Sequence, residues 1–255
     1  MKFIITLLLA SILTSLPGIV LPAFAADTFG VWLVTISVNK VAEVKRNISD
    51  TAVAPTPTGA DFPLRILLHD DGVGSVRLLK EAIAMKDPAT GKVVALADSG
   101  LASIYTGVVL RGGTLVGLRS STIGYDFKGS TKDCTGALAN SNNLECSFTE
   151  LSDDANNPFL HRFHPDHDNL DESFTGSGDP EAFAITRRFT LTFSPRYPAN
   201  PDEPERSVAS KPLGWGVTYL GGTYSESITG LHKDPLFVSG WFTMKRIAAI
   251  ADLRR

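Results

Sequence analysis

The chain has 255 residues, of which 24 are basic and 27 are acidic, so its formal net charge at neutral pH is −3. This slightly acidic balance argues against a nucleic-acid partner, for which clustered Lys and Arg would be expected. The length suits one large β-domain or two small ones and is ample for a sizeable hydrophobic core.

The first 25 residues have the features of a secretory signal peptide. An apolar run at residues 3–13 follows Lys2, and the sequence AFA at 23–25 closes the segment. A positive start, an apolar centre and an A-x-A end are typical of a leader that is removed on export. The apolar run is also shorter than the roughly 20 residues that a transmembrane helix needs. We expect residues 26–255 to form a mature chain without a membrane span, located in the periplasm or outside the cell.

Apolar and polar residues alternate along several segments of the mature chain. In VWLVTISVNKV, every second residue from Trp32 to Val38 is apolar, and the residues between them are mostly polar. A period of two predicts a half-buried strand. The same alternation recurs at residues 62–68, 189–193 and 237–247. We expect strands at all four places.

Residues 62–86 predict a β-hairpin. The strand pattern FPLRILLH is followed by DDGVG, which has the Asp-Gly chemistry of a tight turn. The next segment, SVRLLKEAIAMK, could also form a helix, because five of its apolar residues would share one helical face. The preceding strand and turn favour a second strand over that helix.

The rest of the chain predicts further strands separated by loops. Residues 214–230, GWGVTYLGGTYSESITG, indicate two strands or one bent strand, with a bulge or corner at Gly221-Gly222. The Pro-rich stretches at 51–61 and 194–214 are predicted to be surface loops. Together these patterns predict an all-β fold, a single β-sandwich or Greek-key domain of roughly 8–10 antiparallel strands with long surface loops.

The two cysteines, Cys134 and Cys146, enclose the polar segment TGALANSNNLE. In an oxidising compartment, a lone pair of cysteines at this spacing most simply forms a disulfide. No histidine neighbours either cysteine in the sequence, which makes the pair a poor zinc site. We therefore predict a structural disulfide between them.

The segment NPFLHRFHPDHDNLDE, residues 157–172, holds three of the five histidines. Pro165 prevents a regular helix through its middle, so we expect a loop rather than a helical zinc-binding stripe. In one interpretation the loop is structural, and its Asp and Asn side chains accept hydrogen bonds from backbone N–H groups. In another it binds a metal, since clustered carboxylates suit calcium and imidazoles suit zinc. The candidate ligands are His161, His164, His167, Asp166, Asp168 and Asp171.

Evidence for catalysis in the sequence is weak. His69 or His232 could approach the loop at 161–172 and act as a base there. Serine-nucleophile motifs of the G-x-S-x-G type and phosphate-binding P-loops do not occur in the sequence. We assign no catalytic residue and expect a non-catalytic exported β-module for binding, adhesion or envelope structure. A metal-dependent hydrolase that uses the loop at 161–172 is the alternative.

Three aromatic residues, Trp215, Tyr219 and Tyr224, lie close together in the sequence. Exposed rings at this spacing could form a platform on which sugar rings stack, and buried ones would belong to the core. The surrounding strand pattern favours the core. A carbohydrate or an envelope protein remains the candidate partner.

Five segments of the mature chain carry a resemblance to a known module. They are GVWLVTISVNKV, PTPTGADFPLRILLHDDGVGSVRLLKEA, NPFLHRFHPDHDN, TRRFTLTFS and GGTYSESITGLHKDPLFVSGWFTMKR. Together they resemble a β-rich module that recurs in exported bacterial proteins, sometimes within much larger chains. The HPDHDN element is its most distinctive part. The resemblance implies export and an all-β domain, and it assigns no activity, ligand or functional residue.

Overall fold

The computed structural model describes residues 28–43, 56–151, 184–230 and 235–255. These residues form fourteen strands and two short 3-10 helices, at Ser99–Ile104 and Val208–Ser210. None of the helices in the described ranges is long and apolar enough to cross a membrane.

Eight of the strands belong to one closed sheet. They are β1 (Gly30–Glu43), β2 (Thr56–Asp70), β3 (Val76–Leu79), β9 (Thr131–Gly136), β10 (Asn143–Glu150), β11 (Ile185–Phe193), β12 (Tyr219–Thr229) and β13 (Leu236–Ala248). The remaining strands form smaller sheets. They are β4 (Glu81–Lys86), β5 (Val93–Leu96), β6 (Val109–Arg111), β7 (Thr114–Val116), β8 (Leu118–Ser121) and β14 (Leu253–Arg254).

The large sheet closes into a barrel in the order β1-β13-β12-β11-β10-β9-β3-β2, and all its neighbouring strands are antiparallel. Consecutive barrel strands pair with each other, so the connection is a meander rather than a Greek key. The predicted all-β, antiparallel character is confirmed, but the predicted sandwich is wrong. The first and last barrel strands pair from Val31↔Ala248 to Glu43↔Leu236, and this pairing closes the sheet on itself.

Large apolar side chains fill the interior of the barrel. The alternation in β1 places Trp32, Val34 and Ile36 inside with no exposed surface, as the sequence predicts. Phe242 of the neighbouring strand β13 and Phe189 of β11 pack in the same core. Because a strand turns every second side chain inward, this core leaves the alternate residues of each strand on the outer surface.

A four-stranded sheet, in the order β14-β5-β4-β8, packs against the outside of the barrel. Val31, Leu67 and Leu79 point outward from barrel strands and form a second core with small residues of this sheet, among them Ala82 and Ala95. Small side chains allow the two layers to approach closely. The other face of the sheet packs against the first 3-10 helix, which completes a third apolar cluster.

The predicted hairpin at 62–86 is confirmed for its first part. Strands β2 and β3 pair antiparallel, and the Asp71 carboxylate accepts hydrogen bonds from the backbone N–H groups of Val73 and Ser75, both at 2.9 Å. The segment after the turn is extended and not helical, as the sequence predicts. It nevertheless divides at Lys80, where the chain leaves the barrel and continues as β4 in the outer sheet.

Two local predictions are corrected by the structure. Strand β12 runs through Gly221 and Gly222 in regular register, so there is no bulge; a Cβ on Gly222 would collide with the carbonyl oxygen of Thr192 on the neighbouring strand.

Residues 56–61, predicted to be loop, begin β2 instead. Proline is tolerated there because β3 pairs only with the last four residues of β2, which leaves this part of the strand at an edge. The loop predicted at 194–214 is confirmed.

Candidate binding site at one end of the barrel

One end of the barrel carries an unusual concentration of buried polar groups. Strand β1 ends here at Glu43, β10 ends at Glu150, and β11 begins at Ile185; we call it the site end. The segment 122–130, between β8 and β9, crosses this end. Its main chain pairs with β2 through two hydrogen bonds between Arg65 and Ile123, both at 2.9 Å.

Two aromatic residues of this segment enter the barrel. Tyr125 and Phe127 are almost completely buried and belong to the main core. The Tyr125 ring meets those of Phe148 and Phe189 edge-on, with centroids 5.9 Å and 5.7 Å apart. Edge-to-face contacts of this kind fix the orientation of a ring. The Tyr125 hydroxyl is therefore held at a defined point inside the barrel.

Four side chains form what we call the buried quartet: Tyr125, Arg187, Tyr224 and Glu226. Arg187 donates to the Glu226 carboxylate through both Nε (2.6 Å to Oε1) and Nη2 (3.0 Å to Oε2). The Tyr125 hydroxyl donates to Oε1 at 3.0 Å, and the Tyr224 hydroxyl donates to Oε2 at 2.6 Å. The Arg187 guanidinium also lies 3.8 Å from the centroid of the Tyr125 ring. Glu226 thus accepts four hydrogen bonds in the core.

Burial and mutual contact shift the pKa values of Tyr125, Tyr224 and Arg187. Burial, reinforced by the Glu226 carboxylate, raises the pKa of both Tyr125 and Tyr224 well above the usual range. Burial alone lowers the pKa of Arg187, but the oxygens of Tyr125 and Glu226 raise it by more, so the net shift is upward. Both phenols therefore remain protonated donors, and Arg187 remains a cation beside the carboxylate.

A second charged pair lies at the same end. The Glu150 side chain is buried; its Oε2 accepts a hydrogen bond from the backbone N–H of Lys128 at 2.9 Å. The other oxygen, Oε1, lies 3.5 Å from Lys132 Nζ. The Lys132 ammonium is also within 6 Å of the ring centroids of Phe127 and Phe148. Aromatic faces attract a cation at this distance, so they help to hold Lys132 near Glu150.

A cavity of about 480 Å³ opens beside these groups. Its walls include Tyr125, Asp126, Glu150, Ile185 and Arg187. The volume falls within the roughly 300–1,000 Å³ that is usual for sites of small molecules. A larger hollow of about 640 Å³ lies between the barrel and the outer sheet, but its main charged groups are already engaged, since Arg119 pairs there with Glu81 at 2.5 Å.

Arg187 has hydrogen-bonding capacity that the quartet does not use. Its Nε and Nη2 atoms bind Glu226, and its Nη1 atom has no hydrogen-bond partner among the described residues. The cavity thus offers N–H donors from a fixed guanidinium, carboxylate acceptors from Asp126 and Glu150, and an apolar surface from Ile185. Such a lining suits a small polar molecule with both donors and acceptors.

The residues predicted as metal ligands, His161, His164, His167, Asp166, Asp168 and Asp171, lie outside the described residues, as does His232. Within the described ranges, no group of three or more His, Cys, Asp or Glu side chains is placed to hold a metal ion. The predicted disulfide between Cys134 and Cys146 is confirmed, and it joins residues directly opposite each other on β9 and β10.

A thermal melt tests the metal prediction directly. If the loop at 157–172 binds calcium or zinc, cation in 100-fold excess over its Kd stabilises the fold by about 2.7 kcal/mol, and the unfolding temperature rises. Replacing Asp166 and Asp168 together by Asn should abolish this dependence on cation. Equal melting of the unmodified protein in calcium, zinc and chelator would show that the loop is structural and would remove the basis of the hydrolase alternative.

His69, considered above as a base, is completely buried on the outer side of β2. Its Nε2 atom lies 3.0 Å from the carbonyl oxygen of Ile250, to which it donates, and Nδ1 has no partner within the described part of the chain. Burial lowers the pKa of His69, against smaller upward contributions from Ile250, Asp71 and Asp70, while Arg77 lowers it further. The imidazole is thus a neutral structural contact to the C-terminal segment.

The lowered pKa of His69 predicts a loss of stability in mild acid. At pH values between the folded-state pKa of His69 and its ordinary value of 6.5, the imidazole is protonated in the unfolded chain but neutral in the folded one. The contribution of His69 to the free energy of unfolding is therefore complete above this pH range and decreases as the pH falls through it. Within this range the free energy of unfolding falls by up to about 1.4 kcal/mol for each unit of decrease in pH. Urea denaturation of the unmodified protein and of His69→Gln across this range should show a flatter profile in the variant, which can still donate to Ile250. Identical profiles would contradict the prediction.

Tyr125, Arg187 and Glu226 were not among the predicted site residues. A signal for two of them was present: Glu226 takes an inward position between Tyr224 and Ile228, and Arg187 precedes Phe189 on the inward face of β11. A charged residue on the apolar face of a strand indicates a buried partner. Tyr125 has no such signal, because it lies between strands.

The three aromatic residues at 215–224 do not form a single exposed platform. Tyr224 is buried in the barrel, as the sequence favoured. Trp215 and Tyr219 are half-buried and pack against each other with ring centroids 5.2 Å apart, and the indole N–H of Trp215 donates to the carbonyl of Pro195 at 3.0 Å. They tie the 194–214 loop to the barrel.

No protein-family model matches the chain, and no curated protein matches it either.

Proposed function

We propose that the protein is an exported, non-catalytic β-module that binds a small polar ligand at the site end of its barrel. One observation carries this proposal: Arg187, held by Glu226 and by the Tyr125 ring, lines a cavity of about 480 Å³, and its Nη1 atom has no hydrogen-bond partner within the described part of the chain. Ligand pockets typically combine an apolar surface with a few fixed polar groups.

The energetics of the quartet support a role in positioning. A buried ion pair is weak evidence for stability, because the cost of removing both charges from water can exceed their mutual attraction. Two tyrosine donors and a bidentate arginine around one carboxylate nevertheless give a single, rigid geometry. Rigid groups lose little conformational freedom when a ligand binds, and this raises affinity. The quartet therefore presents Arg187 in a preorganised state.

Two further features support export. The A-x-A sequence at 23–25 predicts a mature N-terminus at Ala26, and a disulfide within the barrel is typical of an oxidising compartment. N-terminal sequencing of the protein recovered from the periplasm or the medium should therefore begin at Ala26. Recovery there of a chain that still begins with Met1 would contradict the predicted cleavage.

A thermal-shift screen tests ligand binding. Amino acids, neutral sugars, sugar acids and short amides are the probe classes, and at least one should raise the unfolding temperature of the full chain. Arg187→Lys keeps the positive charge but removes the planar fork of donors, and it should lose most of this increase. The matched control is Arg206→Lys, which changes an exposed arginine of the 194–214 loop that does not line the cavity and should keep the increase. An equal response in both variants would contradict a ligand at Arg187.

A further inference from the structure

The outer surface of strands β11 and β12 is rich in hydroxyl groups. Outward positions of β12 from Thr223 to Thr229 are all Ser or Thr, and three of the four outward positions of β11 are Thr. A strand surface exposed to solvent usually mixes charged and polar residues. This face, which we call the hydroxyl face, therefore offers many neutral donors and acceptors and few net charges.

A groove of about 520 Å³ crosses the hydroxyl face. On one side stand Glu145 and Arg188, joined by an ion pair with Arg188 Nη2 2.8 Å from Glu145 Oε2. On the other side stands Phe237, a large apolar residue that is 40% exposed. Short side chains form the floor between them, namely Thr190, Ser225, Ser227 and Ser239.

The strand register explains why the groove is continuous. Glu145, Thr190, Ser225 and Ser239 are paired in turn across β10, β11, β12 and β13. Arg188, Ser227 and Phe237 form the next row in the same direction. Three strand spacings of about 4.8 Å give the groove a length of about 14 Å across the sheet. An extended chain molecule can lie along it.

The charges of the groove favour a neutral ligand. Glu145 and Arg188 neutralise each other, the hydroxyls on the floor carry no charge, and the carboxylate of Glu226, which also lines the groove, is bound by Arg187. An anionic polymer would require an excess of cations here. An apolar ligand would remove from water the floor hydroxyls of Thr190, Ser225, Ser227 and Ser239, none of which has a hydrogen-bond partner in the described ranges. A peptide strand would require an unpaired sheet edge, and every strand of this face is paired on both sides.

We infer that the groove binds a segment of a neutral polysaccharide. The Phe237 ring offers an apolar surface to the C–H face of a sugar ring, and the Glu145–Arg188 pair and the floor hydroxyls exchange hydrogen bonds with sugar hydroxyls. The short Ser and Thr side chains lose little rotamer freedom on binding. The groove and the cavity at the site end lie on opposite sides of the barrel wall: Arg188 points outward, and Glu226, which also borders the groove, directs its carboxylate inward to Arg187.

Affinity electrophoresis of the full chain tests this inference. Native gels containing dextran, laminarin, hydroxyethyl cellulose or soluble xylan are the neutral probes, and a gel containing heparin is the anionic control. At least one neutral polysaccharide should retard the protein, and heparin should not. Phe237→Ala should weaken the retardation by roughly tenfold in affinity, in line with the loss of one aromatic contact. Arg188→Ala should also weaken it.

The matched control is Leu213→Ala, which removes a fully exposed apolar side chain from the 194–214 loop and should leave retardation unchanged. Circular dichroism of each variant confirms that the barrel is intact before the gels are compared. Absence of retardation by all four neutral polysaccharides would overturn the inference. Retardation by heparin alone, or equal retardation of Phe237→Ala and the native protein, would overturn it as well.

Discussion

Replacing Glu226 with glutamine is expected to lower the free energy of unfolding by about 3–5 kcal/mol, because it leaves the Arg187 cation buried without a counter-charge. The carboxylate accepts four hydrogen bonds, from Arg187 twice and from Tyr125 and Tyr224 once each. An amide of the same shape carries no charge, and its NH₂ group cannot accept any of these bonds. Urea denaturation at neutral pH measures the loss.

The ion pair between Arg188 of β11 and Glu145 of β10 supplies the control for this prediction. Arg188 points outward and pairs with Glu145 at 2.8 Å, with both side chains substantially exposed. Exposed ion pairs contribute about 0–1 kcal/mol, so Glu145→Gln should have little effect. The double variant Arg187→Met/Glu226→Gln should be more stable than Glu226→Gln alone, since it no longer buries an unpaired cation. Equal losses for Glu226→Gln and Glu145→Gln would show that the quartet does not behave as a buried ion pair.

The strands of this protein could be predicted from the sequence because their information is local. Alternation of apolar and polar residues from Trp32 to Val38 requires only a few neighbouring residues, and the structure has the inward face that it predicts. Closure of the barrel depends instead on the pairing of β1 with β13, whose residues are about 200 positions apart. Alternation is the same in a sandwich and in a barrel, so it could not distinguish them.

The candidate site was less accessible to sequence analysis for a related reason. Glu226 and Arg187 lie 39 positions apart, and Tyr125 lies 101 positions from Glu226. Only the fold brings them together. The inward position of Glu226 in TYSESIT could have indicated a buried charge, but it could not identify the partner. The histidine-rich loop drew attention because its residues are adjacent in the sequence, and its metal site stays a prediction.

The division of residues 75–86 shows how tertiary contacts override a local pattern. Leu78 points into the barrel core, whereas Leu79 packs against the outer sheet. Both faces of this segment are therefore buried, and the resulting run of apolar residues also matched a helical period. The strand leaves the barrel at Lys80, whose backbone N–H donates to the carbonyl of Ser130 at 3.2 Å. Only the outer sheet, built from later parts of the chain, explains that change.

Reduction of the disulfide is expected to destabilise the protein by about 3 kcal/mol, from the loop-closure entropy of the unfolded chain. Cys134 and Cys146 enclose the connection between β9 and β10, where only the last three residues of the β9 ladder pair with β10. Cys146 is also buried in the main core. The disulfide therefore restrains the unfolded chain, and in the folded protein it joins β9 to β10 where these two strands share only three residue pairs.

Urea denaturation with and without dithiothreitol measures this effect, and the variant Cys134→Ala/Cys146→Ala provides the control. Alanine is the better replacement because serine would place a hydroxyl in the apolar core. The reductant should lower the midpoint of the unmodified protein and leave that of the variant unchanged. The urea midpoint of the variant should lie near that of the reduced protein, and the cavity left by the two sulfur atoms should lower it slightly further. A variant as stable as the oxidised protein would show that β9 and β10 hold this wall of the barrel without the bond.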